Sequence, residues 1–260
     1  MVRRLLLVTL PIALAATLSA IALAVRAADE AAAAPDAACA APPALMALGQ
    51  PLAHGVEALE ARRSLKVVAI GSSSTEGTGA SGPAAAYPAQ LERMLSARYP
   101  GATVAILNKG IGGETAARNL ARFERDVLAH KPDLVIWQVG TNDSFQNVAP
   151  EAFRAVVRDG VAKLRAQGAE ALLMEPQFFP KEAGVAAYPA MIAAVRELGA
   201  ELGVPVLRRH AIMRHWIDSG QFDAARMLSP DGLHMTDASY RCLAQVVADA
   251  LAAAKAAPSS

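Results

Sequence analysis

Along most of this chain, short and mostly apolar runs alternate with longer stretches in which apolar residues recur at helical spacing. The short runs have the length and the bounding turn residues that are typical of buried strands. They lie at residues 65–70, 103–107, 134–139, 171–174 and 204–207. The helical stretches lie at residues 84–98, 115–130, 150–167, 187–202, 211–218 and 237–255. Strands that alternate with helices in this way predict an α/β fold, in which helices cover both faces of a five-stranded parallel sheet.

The first residues do not follow this alternation. Arg3 and Arg4 precede an uncharged, mostly apolar run at residues 5–25, and small residues then offer cleavage points near residue 27. A basic start, an apolar run and small residues at its end are typical of a secretory signal. The run is also long enough to span a bilayer. We therefore expect residues 1–27 to be a signal peptide or, alternatively, an uncleaved N-terminal membrane anchor, and the protein to be exported to the periplasm or secreted.

Residues 28–60 contain the next departure from the pattern, because their first half is rich in alanine and proline. This composition predicts a tether outside the folded core, and it assigns residues 61–260 to the folded domain. Cys39 lies in the expected tether and Cys242 lies near the end of the domain. In an oxidising compartment the two can form a disulfide. The alternative is a free Cys242 buried on a helix face.

Composition excludes several classes of function. The formal net charge is +1, and no run of basic residues is longer than two, so nothing indicates a nucleic-acid partner. Two cysteines are too few for a disulfide-rich scaffold or a four-cysteine zinc site. Four of the five histidines are scattered along the chain, and we interpret them as surface or helix-end residues rather than metal ligands: His54, His130, His210 and His215.

The loops after the expected strands carry most of the polar residues of interest. They are residues 71–77 after the first strand, 108–115 after the second and 140–143 after the third, and residues 231–234 precede the last helix. In open parallel sheets, ligands bind beyond the carboxyl ends of the strands, so these four segments are expected to meet at one site. None of them has the spacing of a dinucleotide-binding loop, a phosphate loop or the nucleophile elbow of α/β-hydrolases.

The residue types in these segments suit acyl transfer. A serine hydroxyl needs a neighbouring base to take its proton, and His234 can be that base. Asp231, three residues earlier in a tight loop, can orient the imidazole and stabilise its charged form. A glycine N–H after the second strand and a side-chain amide after the third can hold the developing oxyanion.

In order and position, the four segments resemble the four sequence blocks of the SGNH (GDSL-type) hydrolase family. The resemblance implies that Ser73 is the nucleophile and that His234 and Asp231 complete the triad. It also implies that the Ser73 and Gly113 N–H groups and the Asn142 side chain form the oxyanion hole. The family's fold is a flavodoxin-like three-layer α/β/α sandwich with a five-stranded parallel sheet. Its members use no metal or organic cofactor.

The resemblance covers about residues 65–247 and has one departure. Ser72 stands where the family has aspartate in its first block, which leaves three consecutive serines. Ser72 and Ser74 therefore remain alternative nucleophiles. The adjacent Gly112 is likewise an alternative to Gly113, because either glycine can present its N–H.

These observations predict an exported serine esterase that acts on a small-molecule or glycan ester through an acyl-enzyme on Ser73. Two alternatives use the same residues: an O-acyltransferase, and a deacetylase that removes O-acetyl groups from carbohydrate or peptidoglycan. A catalytically inactive binding module of the cell envelope is the non-enzymatic alternative.

Overall fold

The computed structural model of this protein describes residues 36–254. The expected signal or anchor segment, residues 1–27, lies outside the described residues, as does the first part of the expected tether. None of the helices within residues 36–254 is long and apolar enough to cross a membrane.

Five parallel strands form one sheet in the order β2-β1-β3-β4-β5, the order of flavodoxin-like folds. Their bounds are Ser64–Gly71 (β1), Thr103–Gly110 (β2), Leu134–Gln138 (β3), Glu170–Met174 (β4) and Val206–Leu207 (β5). The strands of the central part are buried because their side chains are apolar on both faces. The predicted α/β class and five-stranded parallel sheet are confirmed.

Helices cover both faces of the sheet. The twelve described helices are α1 (Pro43–Met46), α2 (Ala53–Glu60), α3 (Ser73–Glu76), α4 (Tyr87–Arg98), α5 (Ala116–Ala121), α6 (Phe123–Asp126), α7 (Thr141–Phe145), α8 (Pro150–Ala166), α9 (Tyr188–Leu202), α10 (Arg209–Asp218), α11 (Ala224–Met227) and α12 (Asp237–Ala253). One apolar core lies between the sheet and the layer that contains α4 and α12. A second apolar core lies between the opposite face of the sheet and the helices α8 and α9, which both contribute side chains to it.

The long helix expected at residues 115–130 is broken in the structure. It consists of α5, α6 and a 3-10 turn at Leu128–His130. The break falls at Arg122, whose backbone leaves the helical region with φ −112° and ψ 8°. The Arg122 side chain is buried, and it pairs with the carboxylates of Glu114 and Asp126. On a continuous helix a charged side chain would be expected at an exposed position. The break instead lets the Arg122 side chain point inward and make these contacts.

The expectation that residues 28–60 form a tether is wrong for the part that the structure describes. Residues 36–60 contain α1 and α2, and they bury Leu52, Ala58 and Leu59 in the same core as α4 and α12. The Val206 N–H also donates to the Leu48 carbonyl, so this segment supplies a partner for the sheet-edge strand. The domain therefore extends to residue 36, because apolar side chains interspersed among the alanines pack into the core.

A disulfide joins Cys39 to Cys242, so Cys242 is bonded rather than a free buried thiol. The Asp36 carboxylate pairs with Arg241, and the Asp36 N–H donates to Gln245 Oε1 at 2.7 Å. Gln245 Nε2 also donates to the Asp36 carbonyl at 3.2 Å. Both partners lie on α12, so the start of the domain is fastened to this helix by one covalent and three polar contacts.

Replacing Cys39 with serine should lower the free energy of unfolding by about 3–5 kcal/mol, because the disulfide closes a long loop in the unfolded chain. Denaturant unfolding monitored by circular dichroism measures this change. Added reductant should destabilise the wild type by a similar amount and leave the Cys39→Ser variant unchanged. A wild type that is insensitive to reductant would contradict a bonded pair.

Candidate active site

The turn that presents Ser73 joins the end of β1 to α3. A Cβ atom at Gly71 would lie 2.5 Å from Thr75 Oγ1 and 2.8 Å from Gln138 Oε1, so only glycine fits there. Ser72 and Ser74 are buried, whereas Ser73 is partly exposed. The turn therefore directs one of the three consecutive serines towards solvent and the other two into the protein.

The loop that precedes α12 brings a histidine to this turn. His234 Nε2 lies 2.8 Å from Ser73 Oγ, and His234 Nδ1 lies 2.6 Å from Asp231 Oδ2. The predicted serine, histidine and aspartate are thus joined by two consecutive hydrogen bonds. No corresponding contact joins His234 to Ser72 or Ser74, which bond to Gln138 instead.

The Asp231 carboxylate is held by several donors besides His234. Its Oδ1 accepts hydrogen bonds from Ser229 Oγ and from the backbone N–H groups of Leu233 and His234, all within 2.9 Å. Partial burial raises the pKa of Asp231, but the bonds from His234, Leu233 and Ser229 outweigh it and hold the pKa well below its usual range. The carboxylate therefore stays ionised at neutral and mildly acidic pH, and can stabilise a charged imidazolium.

Asn142 lies on α7, beyond the end of β3. Its Nδ2 donates to the Glu114 carbonyl at 3.0 Å, which fixes the amide and leaves its second hydrogen free for another acceptor. This contact also joins α7 to the loop after β2, which contains the two candidate glycines.

The loop after β2 presents those glycines next to the serine turn. Neither the Gly112 nor the Gly113 N–H has a hydrogen-bond partner within residues 36–254. Gly113 has a φ of +75°, which favours glycine. A Cβ at Gly112 would lie 3.9 Å from Ser73 Cβ. Free N–H groups on one loop and a fixed amide on another are the donors that an oxyanion requires.

Two carboxylates hold this loop in place. Glu114 pairs with the buried Arg122, whose Nη2 donates to the Lys109 carbonyl at 2.6 Å. Asp143 accepts bonds from the N–H groups of Ala116 and Gly140 at 3.1–3.2 Å. Burial raises the pKa of Asp143, although the backbone N–H donors oppose this effect. Asp143 thus anchors the first turn of α5 against the first turn of α7.

Sequence reasoning missed several polar side chains beneath the site. Gln138, at the end of β3, accepts hydrogen bonds from the Ser72 N–H and hydroxyl, each at 2.9 Å. Arg209 and Gln177 are buried and bonded to each other. A glutamine that ends an otherwise apolar strand is a signal that can find Gln138, whereas Arg209 has no such local signal. Phe178 and Phe179, which follow Gln177 in the chain, are buried in the core.

A metal site is not evident in the described part of the chain. Within residues 36–254, no group of three or more histidine, cysteine, aspartate or glutamate side chains is placed to hold a metal ion. Arg196 and Glu175 pair beside the sheet, and His210 bonds to Glu182 at 2.8 Å. The groups that the Ser73 site offers for chemistry are a hydroxyl, an imidazole, a carboxylate and amides.

Comparisons with known proteins agree with this fold. The sequence model of the non-GDSL lipase-like family matches residues 38–257. Among solved structures, a two-domain esterase active on acetylated mannans superimposes with a TM-score of 0.67 at 23% identity, covering 82% of this chain and 56% of that one. Axe2, an acetylxylan esterase from Geobacillus stearothermophilus, superimposes with a TM-score of 0.60 at 23% identity, covering 72% and 94%. These structural likenesses concern the fold.

Curated relatives match shorter parts of the chain. An acetylxylan esterase of Geobacillus stearothermophilus is 42% identical over 69 residues, 26% of this chain and 32% of that protein. Esterase TesA of Pseudomonas aeruginosa is 30% identical over 130 residues, 50% of this chain and 60% of that protein. The matches thus span less than two thirds of either relative. The matching family model is described as non-GDSL, whereas the four sequence blocks resemble those of the GDSL-type family.

The geometry predicts which of the three serines reacts with a fluorophosphonate, a reagent that phosphonylates serines activated by a base. Intact mass should show one adduct on the wild type and on Ser72→Ala, and none on Ser73→Ala. The reason is that only Ser73 bonds to His234. An adduct on Ser73→Ala, or none on Ser72→Ala in a folded protein, would contradict this assignment.

Proposed function

The chain belongs to the non-GDSL lipase-like family, and on that premise we propose that it is a serine esterase that hydrolyses carboxylic esters through an acyl-enzyme on Ser73. The observation that carries the proposal is the continuous pair of hydrogen bonds from Ser73 through His234 to Asp231. Esterases among its relatives support the same reaction class. An inactive binding module does not need this arrangement. The proposal assigns SGNH-type machinery to a chain whose first block lacks the aspartate of GDSL proteins.

Acylation begins at the Ser73 hydroxyl. As Ser73 Oγ attacks the ester carbonyl carbon, His234 Nε2 takes the hydroxyl proton, and the carbonyl π electrons move onto oxygen to give a tetrahedral oxyanion. When the oxyanion collapses, the bond to the alcohol oxygen breaks and His234 gives its proton to the departing alcohol. Asp231, which accepts from His234 Nδ1, holds the ring in the orientation that both transfers need.

Deacylation repeats these steps with water as the nucleophile. His234 takes a proton from water as its oxygen attacks the acyl carbonyl. Collapse of the second oxyanion breaks the bond to Ser73 Oγ, which regains a proton from His234, and the carboxylic acid leaves. In both steps the oxyanion accepts hydrogen bonds from the Ser73 and Gly113 N–H groups and from the Asn142 amide. These donors are already fixed in place, so they stabilise the charge without reorganisation.

Removal of O-acetyl groups from carbohydrate is a second candidate within this reaction class. The specific support is that relatives of this chain are named for acetylated xylan and acetylated mannan. Acyl transfer to a sugar hydroxyl uses the same residues and differs only in the acceptor.

A series of p-nitrophenyl esters from acetate to palmitate, run beside acetylated xylan and acetylated mannan, separates these candidates. Carbohydrate deacetylation predicts that acetate exceeds the longer acyl chains and that acetic acid is released from at least one glycan. A preference for palmitate with no release from either glycan would favour a lipase.

Replacing Asn142 with alanine should lower kcat for p-nitrophenyl acetate by about 10²–10³-fold, because one oxyanion donor is lost in the transition state. KM should change little, since the amide acts mainly on the developing charge. The matched control is Gln146→Ala, which removes an exposed amide four residues further along the chain, bonded to the Gly113 carbonyl. A smaller loss for Asn142→Ala than for Gln146→Ala would refute the assigned role.

We also propose that residues 1–27 direct export. Disulfides persist in oxidising compartments and are rare in the cytosol, so the Cys39–Cys242 bond supports a location outside the cytosol. Expression of the full chain followed by cell fractionation and intact-mass measurement tests this. Cleavage near residue 27 with a disulfide in the exported fraction is the expected result. Retention of the whole chain in the membrane fraction would favour an anchor, and reduced protein in the cytosol would contradict export.

A further inference from the structure

Beneath the Ser73 turn, five side chains join in a closed ring of hydrogen bonds. They extend from the last residue of β3 and from segments that follow β1, β3, β4 and β5, and none is more than 3% exposed. The five residues are Ser74, Gln138, Thr141, Gln177 and Arg209. Because these strands are parallel, their carboxyl ends meet at one edge, and the ring closes beneath the loops that carry the catalytic groups.

Arg209 sets the direction of these hydrogen bonds. Its Nη1 donates to Ser74 Oγ at 2.9 Å, and its Nη2 donates to Gln177 Oε1 at 3.0 Å. Ser74 Oγ donates in turn to Gln138 Oε1 at 3.3 Å. Gln138 Nε2 lies 3.4 Å from Thr141 Oγ1, which lies 3.5 Å from Gln177 Oε1. A guanidinium has five donors and no acceptor, so Arg209 fixes which way Ser74 and the Gln177 amide point.

Three members of the ring either precede or follow a catalytic residue in the chain or bond to the neighbour of one. Ser74 follows Ser73, and Thr141 precedes Asn142. Gln177 Nε2 donates to the carbonyl of Leu233, the residue before His234, at 3.4 Å. The nucleophile, the amide donor and the base are therefore each one residue away from a side chain or carbonyl that the ring holds.

Stability alone does not explain a charged residue at this position. Arg209 is fully buried, and its Nε donates to the Glu175 carbonyl at 2.8 Å rather than to that residue's carboxylate, which pairs with Arg196. Burial accordingly lowers the pKa of Arg209. Burying a charge is costly, and the three acceptors of Arg209 are neutral oxygens rather than a carboxylate that would offset this cost as an ion pair. A fully buried guanidinium with only neutral acceptors is a costly way to fill this space, which favours a role beyond packing.

We propose that Arg209 is a positioning residue for the reaction at Ser73, acting through Ser74 and Gln177 to hold the serine turn and the histidine loop in register. This inference rests on the proposed function. It assigns to Arg209 no contact with substrate, and its effect is on the chemical step rather than on substrate binding.

Two neighbouring serines provide a matched test. Ser72 and Ser74 flank the nucleophile, both are buried, and both hydroxyls bond to Gln138 Oε1. Only Ser74 also accepts from Arg209. Ser74→Ala leaves a buried guanidinium N–H unpaired, so kcat should fall about tenfold or more while KM stays within about threefold. Ser72→Ala should lose less than about threefold, because the Ser72 N–H keeps its own bond to Gln138.

A double-mutant cycle then asks whether Arg209 acts through Ser74. Arg209→Met removes the donors at similar volume, and its kcat should fall at least as far as that of Ser74→Ala. The double variant should be no worse than Arg209→Met alone within about threefold, because both changes break the same link. Thermal unfolding of each variant, followed by circular dichroism, reports on folding separately from kcat.

The outcomes distinguish this inference from the proposed function. Equal kcat for Ser74→Ala and Ser72→Ala, or wild-type kcat in a folded Arg209→Met, would overturn the role of Arg209. If Arg209→Met does not fold, the comparison of kcat between Ser74→Ala and Ser72→Ala tests the role of Arg209 by itself. Ester hydrolysis that persists in Ser73→Ala would instead overturn the proposed function, whatever the Arg209 variants do.

Discussion

The arrangement of this site depends on the buried side-chain amide of Gln138. Its Oε1 accepts from the Ser72 N–H, and so fixes the backbone at the point where β1 turns into α3. The alternative for that N–H is to be buried without a partner, which is costly. Gly71 must be glycine because a Cβ there would collide with this amide. Once the turn is fixed, Ser73 is the serine that faces outward, and His234 can reach its hydroxyl. The contact between Ser73 and His234 therefore depends on a turn that this bond to the Ser72 N–H holds in place.

The sheet and the four polar segments were predictable from the sequence because their signals are local. Apolar runs mark the strands, and glycines, serines and an Asp-x-x-His spacing mark the loops at their ends. The family resemblance supplied the register that singled out Ser73 and Asn142, and the structure brings Ser73, His234 and Asp231 together. The same reasoning failed where a charged side chain is buried and finds its partners outside its own helix. Arg122 breaks a helix to reach Glu114, and Arg209 occupies the interior because Ser74 and Gln177 accept its donors.

The beginning of the domain shows the same limit. Alanine and proline made residues 28–60 look like a tether, because composition averages over the few side chains that matter. Leu52 and Leu59 pack into the core, and Cys39 bonds to Cys242 on α12. That helix begins three residues after His234. The segment expected to be peripheral is therefore fastened to the helix that follows the loop of Asp231 and His234. A sequence pattern identifies such a segment only when its long-range partner is also considered.

The most direct measurement is the covalent state of Ser73 during turnover. Mixing the protein with p-nitrophenyl acetate, quenching in acid and mapping peptides by mass spectrometry reports it. Acyl-enzyme chemistry predicts an initial burst of p-nitrophenol of about one equivalent per protein, as a covalent intermediate accumulates. Fragmentation should then place an acetyl group on Ser73 and on neither neighbouring serine. Steady hydrolysis without an acetylated Ser73, and undiminished in Ser73→Ala, would contradict the central claim.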